Sequence, residues 1–138
     1  MNTKTVKHAL NAYWYATQHL CNLAERYNRL KSQAEKITTT YSPAPGGSGN
    51  QDKISKAAAN LADLEKEYQA EYQKARDAMH RVEALIGSLD DFKQRLILED
   101  EYLDFKSRRQ IAYNRHFSYR TVTRIHEQAL IELNKHVF

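Results

Sequence analysis

Both prolines and three of the four glycines of this 138-residue chain fall within ten residues, Tyr41 to Asn50. Pro fixes φ and lacks an amide donor, and Gly costs backbone entropy, so a helix is expected to stop here. The flanks are rich in Ala, Leu, Glu, Lys, Gln and Arg, the residues that enter helices most readily. These two facts predict an all-α chain with one long helix on either side of a loop at 41–51. That loop serves as a plain connector or as a segment that contacts a partner.

Apolar spacing supports the two helices. From Thr3 to about Thr38, apolar or small residues recur at Val6, Leu10, Tyr13, Thr17, Leu20, Ala24 and Tyr27, alternating four and three apart as in a packing seam. Leu23, Leu30, Ala34 and Ile37 continue it with a drift. Trp14, Tyr15 and Cys21 lie off the seam, which suits either a second helix contact or a self-association surface. A second helix, about 52–86 with Asp52 as a cap, carries Ile54, Leu61, Tyr68, Ala75, Val82 and Leu89, one every seven residues. Helices of this length, about 50 Å at ~1.5 Å per residue, joined by a short connector, should pair antiparallel as a long hairpin over residues 1–88. Two helices bury little for their length, so a third partner is needed. It is supplied by the C-terminal helices or by a second copy, and a homodimer is expected.

Gly87-Ser88 ends the long helix, and residues 89–138 read as a second domain. Ser88 with Asp91 has the spacing of a capping box, and Leu89, Phe92, Leu96, Ile97 and Leu103 form the core face of a helix ending near Phe105. Glu99, Asp100, Glu101 and Asp104 are expected to be exposed at its C-terminal end, where the helix dipole disfavours acids. They would pair with Lys106, Arg108 or Arg109 inside the fold, or meet a basic patch of RNA polymerase.

The stretch Ser107–Leu133 is the most informative for function. Ser107 with Gln110 fits a capping box, and Ser118 fits the N-cap of a following helix. Asn114-Arg115-His116-Phe117 leaves room only for a sharp turn. Ile111 and Ala112 face inward before the turn, and Val122, Ile125, Ala129 and Leu130 after it. Charge concentrates here: from Lys106 onward there are seven Lys/Arg against two acids, while residues 88–105 hold two against six. The spacing predicts a helix-turn-helix whose second helix enters a DNA groove. Tyr119, Arg120, Thr123 and Arg124 would face bases, and Ser107, Arg108, Arg109, Arg115, His116, Ser118 and Thr121 would hold phosphates. An ordinary helical pair with solvated arginines would show the same charges.

On Ile111-Ala112, Ser118, Val122, Ile125-His126 and Ala129-Leu130, this stretch resembles region 4 of the bacterial sigma-70 factors. Leu89–Leu133 as a whole resembles the C-terminal part of the RinA/ArpU-type late transcriptional regulators of phages of Gram-positive bacteria. The segment Ser42-Pro43-Ala44-Pro45-Gly46-Gly47 before a long helix resembles that family too. His116 stands where many such turns have Gly, and Arg115 where an apolar residue is usual. The resemblance implies a sequence-specific DNA-binding activator of phage late genes, with double-stranded DNA and host RNA polymerase as partners. Two rivals fit the same layout: a small terminase-like DNA-packaging subunit and a sigma-like subunit of core RNA polymerase. A purely structural coiled coil would bind no DNA.

No catalytic constellation, metal-ligand spacing or cofactor motif is present, so no enzyme activity, cofactor or small-molecule substrate is expected. His116, His126 and His136 recur every ten residues, not at metal-ligand spacing; His116 and His126 are expected in solvent or near phosphate. The single Cys21 excludes an internal disulfide, no apolar run approaches ~18 residues, and the N-terminus lacks an apolar signal core. A cytoplasmic protein of a bacterial host cell is expected.

Overall fold

The computed structural model describes residues 3–39 and 48–137. Among these the chain is all-helical: α1 (Thr3–Leu10), α2 (Ala12–Thr39), α3 (Ser48–Gly87), α4 (Phe92–Tyr102), α5 (Arg108–Arg115) and α6 (Tyr119–Val137). None of these helices is long and apolar enough to cross a membrane. The segment 40–47, most of the expected loop, lies outside the described residues. The rest of that loop is helix, because α3 starts at Ser48 and not at Asp52.

The expected helix from Thr3 to Thr38 is divided at Asn11. Yet the Asn11 amide donates to the Lys7 carbonyl at 2.9 Å, and the Tyr15 amide to the Asn11 carbonyl at 3.1 Å. The i to i−4 bonding runs through, so Asn11 marks a local irregularity and not a reversal.

Contacts divide the chain into two units, residues 1–17 with 74–138, and residues 18–73. This is not a division at residue 88. In the first unit, Val6 and Leu10 of α1, Val82 and Ile86 of α3, Leu98 and Tyr102 of α4, and Ala129, Leu130 and Leu133 of α6 form one core. A second cluster joins Ile97, Ile111, Ala112, Val122 and Ile125, with Phe117 of the turn against it. Each fully buried Leu or Ile contributes about 1.5–3 kcal/mol by leaving water. The ends of the long helices therefore belong to the core that holds α4 and α6.

In the second unit, Ala24, Tyr27 and Asn28 of α2 share a cleft with Glu65, Tyr68 and Gln69 of α3. Further along, Leu30 and Ala34 share another with Lys53, Lys56 and Ala57. Numbers rise along one helix as they fall along the other, so these segments run antiparallel.

Local capping sets the short helices. Asp91 caps α4, its Oδ1 accepting from the Lys93 and Gln94 amides at 2.8 and 3.2 Å. Ser88 is no N-cap: its hydroxyl donates back to the Leu85 carbonyl, closing α3. Helix α4 ends at Tyr102, three residues before the expected Phe105, which has a left-handed φ of 56°. Phe92 is 67 % exposed and not in the core, whereas Leu98 is fully buried. Packing against the neighbouring helices turns Ile97 and Leu98 inward.

His116 ends α5 with φ 60° and ψ 38°, its amide bonded to the Ala112 carbonyl. A β-carbon in this region crowds the backbone, which is why Gly usually closes helices this way. His116→Gly should therefore stabilise the fold by about 0.5–1 kcal/mol in urea melts. A loss of stability would show that the imidazole makes a compensating contact.

Candidate nucleic-acid interface

Two hydroxyl caps aim the residues expected to meet DNA. Ser107 Oγ accepts from the Gln110 amide at 3.2 Å while Gln110 Oε1 accepts from the Ser107 amide at 3.0 Å, a complete capping box. Ser118 Oγ accepts from the Thr121 amide at 3.1 Å and donates to Thr121 Oγ1 at 2.8 Å. Ser107, Ser118 and Thr121 thus shape helix starts with their own hydroxyls. The start of α6 has no acid in its first turn. Positive partial charge from unpaired amides already gathers there, and Arg120 adds to it.

The arginines fall into two classes. Arg115 donates through Nε and Nη2 to Asp100 Oδ2 and Oδ1, both at 2.9 Å. Asp100 is 1 % exposed, contrary to its expected place on the surface, and Lys106 Nζ lies 3.9 Å from it. Arg115, expected to contact phosphate, is therefore paired with a buried carboxylate through two of its three nitrogens. A carboxylate out of water is tolerable only when so paired. Arg108 is committed as well, with Nε 3.5 Å from Glu101 Oε1 and Nη2 3.1 Å from His126 Nδ1. By contrast, Arg109, Arg120 and Arg124 are exposed and have no carboxylate partner among the described residues.

His126 corrects another expectation. It is not in solvent or near phosphate; it is fully buried, with its ring Nε2 2.7 Å from the Tyr102 hydroxyl. A guanidinium has no acceptor, so Arg108 must donate and His126 Nδ1 must accept. The remaining proton sits on Nε2 and points to Tyr102. Burial, followed by the charge of Arg108, lowers the His126 pKa from 6.5 to about 4, so the ring is neutral at pH 7. Burial raises the Glu101 carboxyl, opposed by Arg108. Glu101 and Tyr102 of α4, Arg108 of α5 and His126 of α6 thereby lock three helices together. No local pattern announces this, because its members are up to 25 residues apart.

Of the expected base contacts, Tyr119, Arg120 and Arg124 are exposed. The Thr123 hydroxyl is buried without a hydrogen-bond partner among the described residues, so it is not offered to a base edge. One residue escaped the sequence reading. Tyr113, four residues after Arg109 and so on the same face of α5, is 82 % exposed. The four-residue spacing of Arg109 and Tyr113 was the signal available in the sequence. Compared with models of protein families, with curated proteins and with solved structures, the chain matches none of them.

Proposed function

We propose that this chain binds double-stranded DNA through a helix-turn-helix made of α5, the His116–Ser118 turn and the first turns of α6. The observation that carries this reading is the division of the arginines. Two stabilise the fold, while Arg109, Arg120 and Arg124 stay in solvent without an acid partner among the described residues. Arg120 and Arg124 are like charges at i and i+4, a spacing that costs a few tenths of a kcal/mol unless an anion relieves it. Backbone phosphates and guanine edges are such partners. Arg120, Arg124 and Tyr119 read bases in this scheme, and Arg109 with Tyr113 grips phosphate. Arg108, Arg115 and Thr123 take no part in contact.

With the resemblance to the RinA/ArpU regulators, the reading extends to a sequence-specific activator of phage late genes, working as a homodimer on a two-part site. Contact with host RNA polymerase belongs to this proposal. The long hairpin would serve oligomerisation.

Fluorescence anisotropy with labelled duplexes at several salt concentrations tests it. Affinity should fall as salt rises, because bound phosphates release counterions. Arg109→Ala should weaken specific and random duplexes alike and reduce the log–log salt slope by about 1. A wild-type chain whose duplex affinity ignores salt would end the proposal.

A further inference from the structure

We propose that Gln18–Thr39 of α2 and Ser48–Gln73 of α3 are half of a four-helix bundle, and that a second copy of this chain supplies the other half across the larger cleft. The inference rests on the homodimer named in the proposed function and specifies its interface; it uses none of the residues proposed to touch DNA. Among the described residues of this unit, only Leu20, Leu23 and Leu64 are buried. Ala24, Tyr27, Leu30, Leu61 and Tyr68 sit on the seam yet remain half-exposed. Two helices meet along one line only, so each side of their seam stays open unless another layer covers it.

The two sides of the seam differ. A cleft of about 220 Å³ on one side has Lys53 and Lys56 on its wall beside Leu30, Ala34 and Ala57. The cleft of about 250 Å³ is walled by Ala24, Tyr27 and Tyr68, with Asn28, Glu65 and Gln69 around them, and carries no lysine. Tyr72 extends this wall, its ring stacked on Tyr68 at 6.4 Å and its side chain exposed. Small exposed residues flank it. Ala62 is three residues before Glu65 and seven before Gln69, and Cys21 is three before Ala24 and seven before Asn28. Helical spacing places both on the face of the larger cleft. Small side chains beside half-covered tyrosines let another helix pair approach closely.

Charge selects a second copy as the occupant and sets its orientation. The α2 segment holds four basic residues against two acids, and the α3 segment three against five. A two-fold axis parallel to the helices lays α2 of one copy against α3 of the other, opposite charge facing opposite charge. It also makes every neighbouring pair antiparallel. A perpendicular axis would stack α2 on α2, like on like.

Sedimentation equilibrium of the full chain without DNA tests the proposal. The wild type should sediment at about twice its 16.1 kDa. Ala62→Arg puts a cation against the basic α2 of the partner and should weaken the dimer at least tenfold. Ala62 is exposed, so circular dichroism should show unchanged helicity. Ala59→Arg, on the far face of α3, should leave the dimer intact. A wild type monomeric at every concentration overturns the proposal. So does a dimer that survives Ala62→Arg, or one that Ala59→Arg disrupts equally. Each of these outcomes leaves the DNA titration free to succeed or fail by itself.

Discussion

Removing both Arg120 and Arg124, as the double Ala variant, should cost about 2–6 kcal/mol of affinity for a specific duplex, at ~1–3 kcal/mol for each arginine reading a base. Binding to random duplex should fall far less, since most of it comes from phosphate contacts elsewhere. The ratio of specific to random affinity, measured at one salt concentration, is therefore the quantity to follow. Both side chains are exposed and unpaired among the described residues, so the melting transition should barely move. Footprinting on source DNA would supply the specific duplex. If the double variant keeps the wild-type specificity ratio, the first turns of α6 do not read sequence, whatever else binds DNA. The same substitution at Arg115 would be a poor test, because it strips a buried carboxylate of its partner and disturbs the fold.

Folding stability should decline by about 2 kcal/mol between pH 7.5 and pH 5, and His126→Gln should flatten most of that decline. In the unfolded chain the imidazole takes up a proton near pH 6.5, whereas in the fold it does so only near pH 4. Between those values the unfolded state binds more protons, so acid favours unfolding; above pH 6.5 the penalty is absent. The causes are visible: burial first, then the Arg108 guanidinium, partly offset by Glu127. Glu101 works the other way. Its raised pKa means that protonation near the acid end favours the fold, so the decline should ease there. Gln can accept from Arg108 and donate to Tyr102 without titrating, which isolates the ring's contribution. Urea melts of both proteins at pH 5, 6 and 7.5 would decide. Parallel pH profiles for wild type and His126→Gln would mean that His126 does not titrate as its surroundings require.

Much of the local architecture was legible in the residues. The capping box at Ser107 and Gln110, the cap at Ser118 and the left-handed turn at His116 follow from chemistry within three or four residues. Position within the fold was harder to read. Phe92 looked like core and is exposed; Asp100 looked exposed and is buried. In both cases the packing of α4 against the neighbouring helices sets which face turns inward. Thr123 shared this fate: its spacing suits a groove, but its hydroxyl is covered.

The all-α class and the caps at Ser107 and Ser118 came from the residues alone, because propensity and capping act between near neighbours. Only the assembled fold decided which arginines are bound to acids, that His126 is locked between Tyr102 and Arg108, and that α1 and the end of α3 share a core with α6. Those outcomes join residues from seven to more than 100 positions apart. Such pairings depend on how helices cross, and no local pattern carries that information.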